Sequence, residues 1–125
     1  MGVILLVDDN AIQLRVREAI LRSAGFSISV ATTAESALAT LHTLGDRISV
    51  IITDHVMPGR SGADFVRLLR ADNDWVPVIV LSGMPEAAPE YDDLNVTFRQ
   101  KPLPPPELIE LVRNTMEKDA HRGAA

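Results

Sequence analysis

The sequence predicts an α/β domain with its strands in one parallel sheet. Three observations lead there. The apolar runs Val3–Val7, Ile48–Thr53 and Val76–Leu81 lack in/out alternation, as strands covered on both faces do. Segments of helical period separate them in regular βα order, which favours right-handed crossovers and parallel strands. Two of the runs stop abruptly on carboxylates, Asp8-Asp9 and Asp54, at the sheet edge where open α/β folds bind ligands.

Along the chain, residues 3–7 read as a buried strand. Asn10 can cap a helix running to about Ala24, with Gly25 as its stop. Ile12, Val16, Ala19 and Ile20 make its expected core stripe; Leu14 and Leu21 fall off it, among Arg15, Arg17, Glu18 and Arg22. Phe26, Ile28 and Val30 alternate as a second strand. Thr32-x-x-Glu35 reads as a capping box for a helix carrying Ala37, Leu38 and Leu41 and ending near Gly45. The third strand, Ile48 to Thr53, meets Asp54 and then Pro58-Gly59, a loop signal. A helix over about 63–71 follows, with Phe65, Val66, Leu68 and Leu69 as its apolar residues. The fourth strand ends at Ser82-Gly83. The alternation then breaks: residues 84–94 contain Pro85 and Pro89 and few large apolar side chains, which predicts a loop or at most one or two irregular turns. Val96–Phe98 is a short strand. Pro104, Pro105 and Pro106 can open a last helix with Leu108, Ile109, Leu111, Val112 and Met116.

This makes one domain over 1–118, with 119–125 expected to fray. Apolar residues make up 46 % of the chain, which excludes disorder, and the net charge of −5 argues against direct nucleic-acid binding. The chain has no cysteine, so disulfides and thiolate metal sites are excluded. No run reaches the roughly 20 residues of a membrane span, and no basic segment precedes the first strand. A cytoplasmic location, with no membrane partner, is the expectation.

The chemistry concentrates at the strand ends. Asp8, Asp9 and Asp54 offer hard oxygen donors suited to Mg²⁺. Crowded carboxylates repel, so such a cluster needs a cation or a raised pKa. Ser82 adds a hydroxyl and Lys101 an ammonium. Singly, each is ordinary: an Asp or Ser after a strand is usually a turn former and a Lys before Pro usually solvated. Jointly they match phosphoryl transfer, with Asp54 attacking in line, the cations neutralising phosphoryl oxygens and the hydroxyl donating to one.

Val7-Asp8-Asp9-Asn10, Thr53-Asp54-His55-Val56-Met57-Pro58-Gly59 with Gly62, Leu81-Ser82-Gly83 and Lys101-Pro102 come in one order. In them the chain resembles, over nearly its whole length, the receiver domain of two-component response regulators. The resemblance implies a flavodoxin-like (βα)5 doubly wound sheet with strand order 2-1-3-4-5, and here the fourth helix falls on the proline-broken segment, short or missing. It implies that Asp54 is the phosphoacceptor and that Asp8 and Asp9 hold Mg²⁺ with Asp54 and the Val56 main-chain carbonyl. Ser82 takes the place of the switch hydroxyl, Phe98 that of the switch aromatic, and Lys101 that of the phosphoryl-contacting lysine. The Lys101–Pro102 peptide is expected to be cis.

The implied function is a signalling switch rather than a metabolic enzyme, catalysing only its own phosphotransfer and dephosphorylation. Its partners would be a sensor histidine kinase or phosphotransfer protein and an unspecified downstream protein. Leu14, Arg15, Glu18 and Leu21 on the first helix are the expected kinase-docking residues, because the family's kinases dock on that helix. The resemblance allows a homodimer, although the proline-broken segment lies on the face through which many receivers dimerise. Two rivals remain beside it. A haloacid-dehalogenase-like phosphatase wants Asp-x-Asp after its first strand, where this chain has adjacent aspartates. A pseudo-receiver keeps the fold without the phosphate chemistry.

Overall fold

The computed structural model describes residues 2–72 and 74–124, with side chains described as far as 118. Five strands, β1 (Val3–Val7), β2 (Ser27–Ala31), β3 (Ile48–Asp54), β4 (Val78–Ser82) and β5 (Val96–Gln100), form one parallel sheet in the order β2-β1-β3-β4-β5. The helices are α1 (Ala11–Ser23), α2 (Ala34–Leu44), α3 (Gly62–Ala71) and α4 (Pro105–Ala124). A one-turn 3₁₀ piece (Gly45–Arg47) leads into β3. Between β4 and β5 the chain makes only a 3₁₀ segment, Pro85–Tyr91, with Pro89 inside it. A proline there removes a donor from the ladder, so no regular α-helix builds. The fold class and the short fourth helical segment are as expected. The frayed tail expected at 119–125 falls outside the residues whose side chains are described.

Helix ends follow the local chemistry. The Asn10 side chain accepts the Ile12 and Gln13 N–H groups, capping α1. The capping box of α2 sits one residue later than the sequence pattern suggests: Thr33 and Ser36 exchange the bonds rather than Thr32 and Glu35. Ser61 and Asp64 form another box at α3.

The sheet is covered on both sides. Leu5, Val7, Ile51 and Val80 pack with Ala37 and Leu41 of α2 and Phe65, Val66 and Leu69 of α3. Ile4, Leu6, Val50, Ile52, Ile79 and Leu81 pack with Leu14 and Leu21 of α1 and Leu108 and Val112 of α4. Val30 and Leu68, expected inside, are exposed.

The expected face of α1 is corrected here. Leu14 and Leu21, two turns apart, are its buried residues, at 7 % and 0 % exposure, whereas Ile12 is 75 % and Val16 53 % exposed. The helix sits over Ile4, Leu6 and Ile28, and only the Leu14/Leu21 seam reaches them. Leu14 and Leu21 therefore belong to the core, each burial being worth roughly 1.5–3 kcal/mol, and they present nothing to a docking kinase. Of the other two residues expected to dock, Arg15 is exposed, and Glu18 is half-buried and paired with Arg22.

Arg70 of α3 is buried and ties down the chain entering β4 and β5. Its guanidinium donates to the carbonyls of Asp74, Val76, Leu94 and Asn95.

Candidate functional site

Register and pleat build the site. Val7 pairs with Thr53 across β1 and β3, so Asp8 and Asp54 follow side by side at the carboxyl edge. Residues two apart on a strand share a face. Asp8 therefore follows Ile4 and Leu6, and Asp54 follows Val50 and Ile52, onto the α1/α4 side. Asp9 joins them from the loop: one oxygen of each of the three carboxylates lies within 4.8 Å of the others. Asp8 and Asp54 are buried, at 1 % and 6 % exposure, and Asp9 is exposed.

Lys101 arrives from the end of β5, where its N–H donates to the Ser82 carbonyl at 2.8 Å and the Lys101–Pro102 peptide is cis. Its Nζ is in ion-pair contact with Asp54 Oδ1 and donates to Gln13 Oε1 at 3.1 Å. Burial pushes the Asp54 carboxyl above its ordinary value, the Lys101 ammonium pulls it part of the way back, and the Asp8 charge adds to the rise. Asp54 Oδ1 is buried and accepts no well-aligned hydrogen bond. Three convergent oxygen donors fit a small hard cation, for which Asp8, Asp9 and Asp54 are the side-chain ligands on offer.

The other expected residues are not all drawn into this contact. Ser82 lies at the end of β4, buried, with its Oγ accepting the Met84 N–H at 2.9 Å; it faces its own turn. Phe98 is half-buried and tilts against Tyr91, ring centroids 5.7 Å apart. Val56 stands two residues beyond Asp54 with its side chain 63 % exposed.

Several neighbours make contacts to which the sequence reading gave no role. Arg17 pairs with Asp8 at 2.7 Å, and Gln13 bridges towards Lys101. The pleat turns His55 to the opposite side from Asp54, where its Nδ1 meets the Tyr91 hydroxyl at 2.7 Å and its Nε2 lies 3.4 Å from Glu90. Burial, with help from the Glu90 charge, raises the Tyr91 phenol well above its ordinary value, so it stays protonated. Gly62 is required where α3 begins: a Cβ there would stand 2.5 Å from the Asp54 carbonyl and 2.6 Å from the Tyr91 hydroxyl. A pair between the end of β1 and α1, nine residues apart, and a contact across 36 residues leave no periodic mark in a sequence.

Comparison with known proteins agrees with this geometry. A response regulator receiver protein from Pseudomonas putida is 35 % identical, with a TM-score of 0.83 over 90 % of this chain and 96 % of that one. A CheY-like receiver domain from Methanospirillum hungatei, at 20 % identity, shares the fold with a TM-score of 0.87 over 98 % of each chain. The DNA-binding response regulator MtrA of Mycobacterium tuberculosis is 30 % identical over 119 residues, 93 % of this chain and 51 % of that protein. The chain thus spans about half the length of the curated relatives it matches. Among the described residues no helix is long and apolar enough to cross a membrane. The model of the response regulator receiver domain matches residues 4–113, from β1 into α4 and through every residue of the pocket, and the chain belongs to that family, whose members act in phosphorylation-dependent two-component signalling.

Proposed function

We propose that the chain takes a phosphoryl group from a phosphohistidine donor onto Asp54, with Mg²⁺ in the pocket, and signals by protein–protein contact. The observation that carries this is the buried Asp54 carboxylate in contact with Lys101 and within reach of Asp8 and Asp9. Bound to Asp8, Asp9, Asp54 and the Val56 carbonyl, Mg²⁺ would supply charge neutralisation for the phosphoryl oxygens. The chain's own residues do the rest. Asp54 is the nucleophile, and its bond to phosphorus forms as the donor imidazole leaves. Lys101 exchanges its ion pair with Asp54 for a phosphoryl oxygen. Ser82 turns its hydroxyl from the Met84 carbonyl to donate to another phosphoryl oxygen, and Phe98 follows by turning against Tyr91. The chain is a switch that catalyses only its own phosphotransfer and dephosphorylation.

The donor's place is the groove beside α1. Ile12, Val16 and Ile20 face Pro102, Leu103 and Pro105 across a cavity of about 530 Å³, with Lys101 at its rim. This apolar strip, not Leu14 and Leu21, suits a helix of a sensor histidine kinase or phosphotransfer protein. The printed name of MtrA assigns DNA binding to that longer protein. For this chain the net charge of −5 favours a downstream protein partner over direct nucleic-acid contact.

Acetyl phosphate with Mg²⁺ should label the wild type once, and Asp54→Asn should abolish the label. Full labelling of that variant would overturn the assignment.

A further inference from the structure

Asp8 is the most buried carboxylate of the pocket, and both its oxygens are engaged. Oδ1 accepts the Asn10 N–H at 2.9 Å, and Oδ2 takes the Arg17 guanidinium at 2.7 Å. The Arg17 side chain is only 14 % exposed, so water screens the pair weakly. The same guanidinium donates to Gln13 Oε1 at 3.4 Å, and that oxygen also accepts from Lys101 at 3.1 Å. One amide thus stands between two cations, each neutralising one aspartate.

A divalent ion needs the electron pairs of Asp8 that Arg17 now holds. We infer that Arg17 is a resident counter-cation which sets the Mg²⁺ affinity of the pocket: it holds Asp8 when metal is absent and must release it, turning into the groove beside α1, when metal binds. The inference rests on the receiver reading. Three carboxylates and two cations leave one net negative charge in the resting pocket. A divalent ion entering with both cations in place would invert that sign. An aspartyl phosphate, carrying roughly one more negative charge than the carboxylate it replaces, restores the balance. Arg17 therefore opposes metal in the resting pocket more than in the phosphorylated one. By linkage it couples metal binding to phosphorylation more tightly than the aspartates and Lys101 alone would. Arg17 is a positioning residue, acting through Asp8.

The test is calorimetric titration of the full chain with magnesium chloride alone, for wild type, Arg17→Met and Arg17→Lys, with acetyl phosphate labelling in parallel. Removing the charge should tighten Mg²⁺ binding about tenfold or more, equal to about 1.4 kcal/mol. The lysine variant, retaining the charge, should stay near wild type. Arg17→Gln carries the same expectation as Arg17→Met if the latter fails to fold. Equal or weaker Mg²⁺ binding in the neutral variants, with labelling intact, overturns the role of Arg17 and leaves the receiver reading standing. A wild type that neither binds Mg²⁺ nor takes label overturns both.

Discussion

His55 Nδ1 and the Tyr91 hydroxyl lie 2.7 Å apart in the interior, with the two rings edge to face, so the residue after Asp54 is tied directly to the 3₁₀ segment between β4 and β5. Tyr91 in turn leans on Phe98, which links that segment to β5.

Tyr91→Phe removes one oxygen and leaves the buried His55 nitrogen without its partner. An unmet buried polar group costs about 1–3 kcal/mol, so urea unfolding should show a loss of that order. The 3₁₀ segment should also exchange its amide hydrogens faster than in wild type. Unchanged exchange at residues 86–91 would mean that ring packing alone holds the segment.

The shift at Asp54 makes stability depend on pH in a defined direction. Burial raises its folded pKa above the unfolded value. Its contribution is thus present below the unfolded pKa and is lost as pH rises through the raised folded one. Without metal, Asp54→Asn should be more stable than wild type near pH 7, and the gap should close on acidification through that window. Mg²⁺ should then stabilise the wild type more than the variant. A gap that widens on acidification would contradict the burial of the charge.

The two faces of α1 should separate by their effects. Leu14→Ala opens a core cavity and should cost about 2–5 kcal/mol in stability. Ile12→Asp with Val16→Asp should leave stability within about 1 kcal/mol, since both are exposed, while slowing phosphotransfer from the cognate kinase. Labelling by acetyl phosphate, which needs no docking, should be unchanged. Phosphotransfer from the kinase at the wild-type rate would move the docking site elsewhere.

The lifetime of the phosphorylated state should be long for a receiver. Val56 and Met84, two residues beyond Asp54 and Ser82, are 63 % and 42 % exposed, and neither can orient an attacking water. Val56→Asn or Met84→Glu should hasten loss of label at saturating Mg²⁺. Equal or slower decay in both would show that these side chains do not govern water access.

The sheet and the carboxylate cluster were legible because they rest on local signals. Unalternated β-branched runs mark buried strands, and a carboxylate at each run's end lands on the same edge once the strands are parallel. The face of α1 was not legible, for a physical reason. Ile12, Val16 and Ile20 make as good an apolar stripe as Leu14 and Leu21, because one side meets the core and the other lines an apolar groove. Periodicity finds both stripes and cannot rank them. Arg70 is charged yet buried, since it donates to carbonyls that no sequence pattern reveals.

The strand order has a consequence for how the domain comes into being. Gln13 and Lys101 meet across 88 residues of chain, and Asp54 ends the strand that lies between β1 and β4, while β5 pairs with β4. Synthesis from the N-terminus delivers every aspartate of the pocket well before Lys101. A nascent chain therefore carries the pocket's acids before its ammonium, and parallel pairings this distant close slowly. A ribosome that stalls before residue 101 therefore leaves a fragment bearing the pocket's acids and lacking one of its cations.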